Sequence, residues 1–296
     1  MISLHQLRTF LEVAAAGSVR EASERLIVSQ PAVSSALSAL QRELGVALLE
    51  RRGRGIEVTA AGRQVERDAR RLFALLDDLE RSARAAGAAE STRVRIAAVT
   101  TAAEHVLPPM LSGFRSEYPL DGVELDVANR AIVWEQLAHW EVDLAIAGRP
   151  PRDRGFRTLA TSPNELVVIG RPGAADDIVT LGEATWLLRE AGSGTRGAAE
   201  EFFGQLGISP PCLTIGSNGA ICECVRVGLG MSLQSREAVA RDLASGALVE
   251  VPTSVTPIAR AWHIVCDGAR ELAPAAQRFV DHAIAAGSFL PAPAAP

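Results

Sequence analysis

The sequence predicts a multidomain α+β chain: an N-terminal winged helix-turn-helix, a long helix, and a C-terminal α/β region. Three observations predict this organisation. Helix-start signals recur in the first 45 residues, a proline-free stretch runs from 60 to 86, and strands alternate with helices from residue 93 onward. With 296 residues, of which 48% are hydrophobic and 22% charged, the chain can form two or three domains with cores of their own.

Capping residues place three helices in the N-terminal region. Ser3 and Ser18 each stand three residues before a glutamine or glutamate, which is the pattern of a capping box. Ser29 is followed by Gln30-Pro31, and a serine N-cap with proline in the first turn favours a new helix, which we expect to end at Gly45. Two helices joined by a tight turn, the second with a polar N-terminal half, predict a helix-turn-helix.

The residues after Gly45 predict a wing and then a long helix. We expect short strands at Val46 to Leu49 and at Ile56 to Val58, on either side of a basic tip. Thr59 is the expected N-cap of a helix from Ala60 to about Ala86. Apolar residues with a seven-residue spacing indicate a coiled-coil dimer seam, the alternative being a helix packed on its own domain. These residues are Val65, Leu72, Leu79 and Ala86, with Leu75 and Leu76 between them.

The first 62 residues resemble the winged helix of LysR-type transcriptional regulators. The resemblance departs from the common pattern at Ser35-Ala36, where basic or amide residues are frequent. It implies sequence-specific binding to promoter DNA, a dimerising linker helix, a homodimer or homotetramer, and a contact with RNA polymerase. The matching segments are Ala22-Ser23-Glu24-Arg25-Leu26, Val28-Ser29-Gln30-Pro31-Ala32-Val33-Ser34, Leu40, Glu43-Leu44-Gly45-Val46, Leu48-Leu49-Glu50-Arg51 and Val58-Thr59-Ala60-Ala61-Gly62.

Beyond a hinge of glycine, alanine and serine at residues 87 to 92, strands and helices alternate at the spacing of parallel βαβ units. One extended sheet is compatible with this pattern. The resemblance instead implies a periplasmic-binding-protein-like effector domain of two subdomains, with crossovers near Thr161 to Asn164 and at Asp267-Gly268. We therefore expect a DNA-binding domain at 1–59, a linker helix at 60–88 and a regulatory domain at 89–290. Subdomain I would take about 93–162 and 268–290, and subdomain II about 163–267.

The predicted DNA contacts divide into two groups. Amide and hydroxyl groups at the start of the third helix can reach base edges, whereas arginines of the wing suit phosphates. The net charge of −5 does not oppose DNA binding, because residues 1 to 90 hold 13 arginines against 12 acids and the acidity lies further on. The predicted contact residues are Ser29, Gln30, Pro31, Ser34, Ser35, Ser38, Arg51, Arg52 and Arg54.

Hydroxyl and glycine residues recur where predicted strands give way to helices. The carboxyl edge of strands in open α/β sheets is where ligands bind, and helix N-termini there present free amides. Helix capping alone would also explain single residues of this kind. We expect a small, anionic effector between the subdomains, held by residues from three such places: Thr100, Thr101, Ser193, Gly194, Thr195, Arg196, Ser217 and Asn218.

The sequence gives little support to catalysis. The five histidines show no metal-ligand spacing, and neither a P-loop nor a nucleophile elbow is present. We expect no enzyme activity, metal or cofactor. No signal peptide or apolar run of membrane-spanning length is seen, which predicts a cytoplasmic protein.

Two other functions compete with an effector-responsive regulator. A thiol-based redox regulator of the same family would use the cysteines, of which Cys212 and Cys222 are the candidate pair, although the sequence places no basic residue beside either. We expect all four cysteines, which include Cys224 and Cys266, to be reduced thiols. A solute-binding protein without DNA function would be built on residues 91 to 296, with the N-terminal region serving only for oligomerisation.

Overall fold

The computed structural model describes residues 1–52, 55–87, 93–173 and 179–293. The chain divides into two compact units, one formed by Met1–Ala89 with Ala138–Glu141 and the other by Glu90–Leu137 with Val142–Pro296. Each unit has its own apolar core.

The first unit begins with three helices, α1 (Leu4–Ala16), α2 (Val19–Leu26) and α3 (Gln30–Leu44). Their core contains Phe10, Val33 and Leu40, all fully buried or nearly so. The capping box at Ser3 is complete, since its hydroxyl and the Gln6 side chain bond each other's backbone amides. At Ser18 only the serine half forms, because the Glu21 carboxylate accepts from Arg25 Nη2 at 2.6 Å instead.

The wing is an antiparallel pair of strands, β1 (Leu49–Arg52) and β2 (Gly55–Val58), with Leu49 opposite Val58. The expected first strand at 46 to 49 was therefore placed too early. Leu48 is fully buried, and its amide donates to Gln41 Oε1 at 2.8 Å. As a result, the arginines expected at the tip, Arg51 and Arg52, lie within the strand.

The long helix α4 (Ala60–Gly87) begins where Thr59 caps it, with the Gly62 amide donating to Thr59 Oγ1 at 3.0 Å. Its first turns pack on the helix-turn-helix core through Val65 and the buried Ala69. Further along the helix, large apolar side chains are exposed at positions that share one face. These are Leu72 (37% exposed), Leu75 (48%) and Leu79 (66%).

The second unit contains two mixed sheets. The first is six-stranded, in the order β14-β6-β13-β5-β3-β4. Strands β3, β4 and β5 are mutually parallel, whereas β13 runs antiparallel to both β5 and β6. Its elements are β3 (Arg93–Val99), α5 (Thr100–His105), α6 (Leu107–Glu117), β4 (Gly122–Ala128), α7 (Arg130–Ala138), β5 (Leu144–Ala147), β6 (Phe156–Ser162), β13 (Trp262–Asp267), α12 (Pro274–Ala285) and β14 (Leu290–Pro291).

The second sheet is centred on β7, which pairs antiparallel with β10, β11 and β12. The parallel pair β8-β9 continues it through a bridge from Trp186 to Met231. These elements are β7 (Glu165–Gly170), α8 (Val179–Glu183), β8 (Trp186–Leu188), α9 (Gly194–Leu206), β9 (Cys212–Thr214), α10 (Asn218–Arg226), β10 (Ser232–Ser235), α11 (Arg236–Ser245), β11 (Val249–Glu250) and β12 (Ile258–Ala259). Each sheet has buried apolar clusters of its own, so the unit consists of two subdomains.

Two expectations for this unit need correction. The sheets are mixed rather than built from parallel βαβ units alone. The second crossover lies just before Trp262 and not at Asp267-Gly268, because the whole of β13 pairs with β5 and β6 of the first sheet. Strand β6 was not predicted because its polar and apolar residues do not alternate cleanly.

Candidate functional site

The first candidate site is the exposed face of α3. Ser29 caps the helix by accepting from the Ala32 amide at 3.4 Å, and Pro31 occupies its first turn. Val33, Leu37 and Leu40 hold the opposite face in the core, which fixes the helix rotation. The predicted DNA contacts at the start of α3 are all exposed on the remaining faces: Ser29, Gln30, Pro31, Ser34, Ser35 and Ser38.

The wing presents arginines with different surroundings. Arg51 and Arg52 are both exposed. Arg52 Nη1 lies 2.9 Å from Glu57 Oε2 of the paired strand, so part of its charge is already compensated. An exposed pair of this kind is weak and can exchange its partner for a phosphate. Arg54, the third predicted phosphate contact, lies outside the described residues.

The second candidate site is a pocket between the two subdomains of the second unit, with about 540 Å³ of empty space that includes its opening to solvent. Five predicted effector residues line it, namely Thr100, Thr101, Ser193, Gly194 and Thr195. Thr100 and Thr101 open α5 directly after β3, and the others open α9 after β8. The Ser193 side chain makes no capping bond, which leaves the amides of the first turn of α9 available to a ligand.

Glycine allows the two subdomains to approach closely beside this pocket. A Cβ at position 194 would lie 3.1 Å from Arg130 Cδ, and one at position 192 would lie 3.2 Å from the Ala131 Cβ. The Ala131 amide donates to the Gly192 carbonyl at 3.2 Å across the gap. The glycines therefore let α9 start against α7 in this closed arrangement.

Three arginines, Arg130, Arg189 and Arg260, also line the pocket, and no carboxylate is among its lining residues within the described chain. Arg189 is buried and forms two bonds to the Glu190 carboxylate, at 2.8 and 3.0 Å. Burial raises the pKa of Glu190, but the hydrogen bonds from Arg189, a backbone hydrogen bond and the charge of Arg189 together leave that pKa below its ordinary value. The charge of Arg189 is thus compensated within the protein.

Arg130 and Arg260 are less fully compensated. Burial, and then the like charge of Arg260, lower the pKa of Arg130. Arg130 Nη2 donates to the Arg149 carbonyl at 2.9 Å, while its Nε is buried without a hydrogen-bond partner. Arg260 reaches Glu201, an exposed carboxylate, at 3.2 Å. Two guanidinium groups that repel each other in one pocket favour an anionic ligand.

Thr101 and Asn218, both predicted as effector contacts, bond to each other instead. Asn218 Nδ2 donates to Thr101 Oγ1 at 2.9 Å, and Asn218 Oδ1 accepts from Arg189 Nη1 at 2.7 Å. All three side chains are buried. This chain of bonds connects α5 of one subdomain with α10 and the end of β8 of the other. Asn218 therefore lies behind the pocket and supports Arg189, which lines it.

Two predicted residues lie away from the pocket. Arg196 turns outward, with Nε on Glu200 at 2.8 Å and Nη1 on the Arg189 carbonyl at 3.1 Å. Ser217 caps α10 by accepting from the Ala220 amide. Neither is among the pocket-lining residues. Arg196 is drawn outward because Glu200 stands one helical turn away on α9.

Several pocket residues were not predicted from the sequence: Asn129, Arg130, Asn164, Arg189 and Arg260. Asn129 Oδ1 accepts from the Ile132 amide and so caps α7. An asparagine just after a predicted strand is a sequence signal for such a cap. Asn164 bonds the Arg260 carbonyl and accepts from Ser235 Oγ, so it joins the two crossovers. Arg260 offered no local signal, because its place depends on the crossover just before β13.

The cysteines are free thiols. Burial raises the pKa of Cys222 to about 11. Burial also raises the pKa of the Cys212 thiol, even though Arg196 and Cys212 are close enough for the arginine to oppose the rise. Arg226 opposes the rise at Cys222 in the same way, so each thiol feels an arginine that does not stand next to it in the sequence, and both pKa values are still raised. Nucleophilic thiolate chemistry is disfavoured at both positions.

Within the described residues, no group of histidine, cysteine and carboxylate side chains is arranged to hold a metal ion. None of the described helices has both the length and the apolar character that crossing a bilayer requires.

A winged helix-turn-helix joined by a long helix to a periplasmic-binding-protein-like domain defines a class of DNA-binding transcription regulators. Residues 4–63 match the family model "Bacterial regulatory helix-turn-helix protein, lysR family", and residues 87–288 match "LysR substrate binding domain". The chain belongs to the LysR family of transcriptional regulators.

Relatives agree with this assignment. The chain is 34% identical over 285 residues to the RuBisCO operon transcriptional regulator of Allochromatium vinosum, covering 94% of each chain. The regulatory domain of Synechocystis PCC6803 CcmR in complex with 2-PG is 30% identical, with a TM-score of 0.62 over 66% of this chain and 97% of that one. Full-length CbnR complexed with its target DNA is 25% identical, with a TM-score of 0.63 over 95% and 98%. These relatives are named as regulators rather than enzymes, and DNA is the partner of this chain.

Proposed function

We propose that this regulator binds promoter DNA as a homodimer or homotetramer and that a small anionic effector, held between the two C-terminal subdomains, modulates its activity. The observation that carries the effector proposal is the pair Arg130 and Arg260, which face one pocket without a lining carboxylate among the described residues. The similar regulatory domain of CcmR, whose structure is a complex with 2-PG, supports a small molecule at the equivalent domain.

Within this proposal, Arg130 and Arg260 pair with the anion. Thr100, Ser193 and the amides of Gly194 and Thr195 supply neutral hydrogen-bond donors. Asn218 and Thr101 hold Arg189 and the floor of the pocket in place. In this arrangement the arginines supply positive charge, and the neutral donors orient a bound carboxylate or phosphate.

In the DNA-binding part of the proposal, residues 1–59 form the DNA-binding domain and residues 60–88 form the linker helix. The bases are read by α3. Gln30, Ser34, Ser35 and Ser38 face base edges, and Arg51, Arg52 and Arg54 face phosphates. In this arrangement Gln30→Ala lowers affinity at particular base positions, whereas Arg51→Ala lowers it on all DNA and flattens its salt dependence. A regulator of this kind works in the cytoplasm, where promoter DNA and RNA polymerase, a further proposed partner, are found.

A two-stage experiment tests the proposal. Gel-shift assays with the DNA flanking its own gene separate a regulator from a solute-binding protein. Thermal-shift screening with small carboxylates and phosphates, followed by calorimetry, then identifies the effector. We expect Thr100→Val to lose the effector response while it keeps DNA affinity and thermal stability. A screen that yields only neutral apolar ligands, or a Thr100→Val protein that responds normally, contradicts the effector site.

The cysteine alternative is not favoured by any contact among the described residues. Both candidate thiols have raised pKa values, so a redox sensor would lack the reactive thiolate it requires.

A further inference from the structure

The end of α2 has an unusual residue at its cap. Ile27 adopts the left-handed conformation, with φ 57° and ψ 44°. Its amide donates to the Glu24 carbonyl at 3.3 Å, and the Val28 amide donates to the Ser23 carbonyl at 3.0 Å. This pair of bonds is the Schellman motif, in which glycine usually takes the left-handed position.

Four other helices of the described chain follow the usual rule. Glycines cap α1, α3, α9 and α11 with φ between 63° and 73°, at Gly17, Gly45, Gly207 and Gly246. A β-branched side chain in this conformation is strained, because its Cβ approaches the backbone too closely. Isoleucine at position 27 is therefore disfavoured on grounds of stability.

Packing does not compensate for the strain. The Ile27 side chain is 91% exposed, and the neighbouring Val28 is 38% exposed. The Ile27 side chain is therefore not stabilised by burial in the unbound protein. A strained residue with its side chain in solvent indicates a role that is fulfilled only in a complex.

The position of Ile27 identifies the partner. It stands three residues before Gln30 and two before the N-cap Ser29, so it belongs to the turn that leads into the exposed start of α3. In a helix-turn-helix the N-terminal residues of the second helix enter the major groove. There the thymine 5-methyl group is the apolar feature that a protein can contact.

We propose that Ile27 is a specificity-determining DNA contact that packs on a thymine methyl group beside the bases read by Gln30. The inference rests on the proposed base-reading face of α3. In the complex, the contact of the Ile27 side chain with DNA offsets the backbone strain that isoleucine causes in the free protein. In the free protein a glycine would cap α2 with less strain.

The test uses full-length protein and a duplex enriched by the wild-type protein from randomised DNA. Ile27→Gly removes both the strain and the side chain, so we expect a higher midpoint of thermal unfolding together with weaker DNA binding. Ile27→Ala keeps a Cβ in the left-handed conformation and removes the apolar contact, so it weakens DNA binding without the gain in stability. Opposite changes in stability and affinity in the glycine variant distinguish a DNA contact from a structural role.

Duplexes with single thymines replaced by uracil locate the contact. Loss of one methyl contact weakens wild-type binding about fourfold at one position, and we expect the same replacement to leave Ile27→Gly unaffected. Gln30→Ala on the same duplexes reports on the reading face independently. If Gln30→Ala weakens binding while Ile27→Gly binds as tightly as wild type, this inference is overturned and the reading face stands. A uracil effect of equal size in Ile27→Gly, or a change only in oligomeric state, also overturns it.

Discussion

Arg130 and Arg260 set the charge of the pocket at the scale of single residues. Arg189 is neutralised by Glu190 and Arg260 is partly compensated by the exposed Glu201, so Arg130 supplies most of the positive charge that an anion would meet. The buried, unpartnered Nε of Arg130 is a donor that a ligand oxygen can satisfy. We regard Arg130 as the better place to test the effector site, because its contact with Arg149 uses only one terminal nitrogen.

Arg130→Gln should weaken binding of the anionic effector roughly 10- to 100-fold, as expected for the loss of a charge-assisted hydrogen bond. Isothermal titration calorimetry with an effector found by screening measures the change. Arg196→Gln is the matched control, since Arg196 turns outward to Glu200. Equal losses in the two variants would show that general electrostatics, rather than a contact, holds the ligand.

Cys222 provides a prediction on pH. Its pKa is raised to about 11 by burial, above the ordinary value of 9.0, so the fold favours the protonated thiol. The stabilising contribution is full below pH 9 and falls as the pH rises from 9 toward 11. Denaturant unfolding should therefore show a smaller loss of stability over this range in Cys222→Ser than in wild type. Rapid reaction of Cys222 itself with a thiol reagent at about pH 8 would contradict the raised pKa.

At the scale of elements, α4 has two differently packed parts along its length. Its first turns pack on the helix-turn-helix core through Val65 and Ala69, while Leu72, Leu75 and Leu79 form an exposed apolar stripe at a and d spacing. Exposed leucines at this spacing need a partner helix to become buried. We propose that this stripe is the dimer interface.

Leu72→Glu should convert the dimer into monomers, because the carboxylate would be buried against the partner helix without a counter-ion. Size-exclusion chromatography with light scattering measures the mass. Asp77→Arg, which changes an exposed charge away from the stripe on the same helix, should leave the mass unchanged. A Leu72→Glu protein with the wild-type mass would place the interface elsewhere.

At the scale of the whole regulatory unit, the two subdomains are joined behind the pocket by the bonds of Asn218 to Thr101 and Arg189. A ligand drives closure only if it binds the closed form better than the open one. The bond to Thr101 exists only when the subdomains are close together, so it contributes to that difference. We therefore expect Thr101 to influence effector affinity without contacting the effector through its hydroxyl.

Thr101→Val keeps the shape of the side chain and removes the acceptor for the Asn218 amide. Because a buried unpaired donor costs about 1–3 kcal/mol, effector affinity should fall by roughly 5- to 150-fold. Small-angle scattering should show a more open regulatory unit at a given effector concentration. An unchanged affinity would mean that the bond is equally present in both states.

The local chemistry of the sequence determined much of this architecture. Serine caps, Pro31, Gly45 and the apolar spacing of α1 to α4 specify the helix-turn-helix because each signal acts within one or two turns. Hydroxyls and glycines after β3 and β8 indicated five pocket residues for the same reason. Only the tertiary structure brought in Arg130, Arg189 and Arg260, paired Thr101 with Asn218 and assigned β13 to the first sheet. Those relationships join residues far apart in the chain, and their energies arise from long-range pairing and burial that no local pattern records.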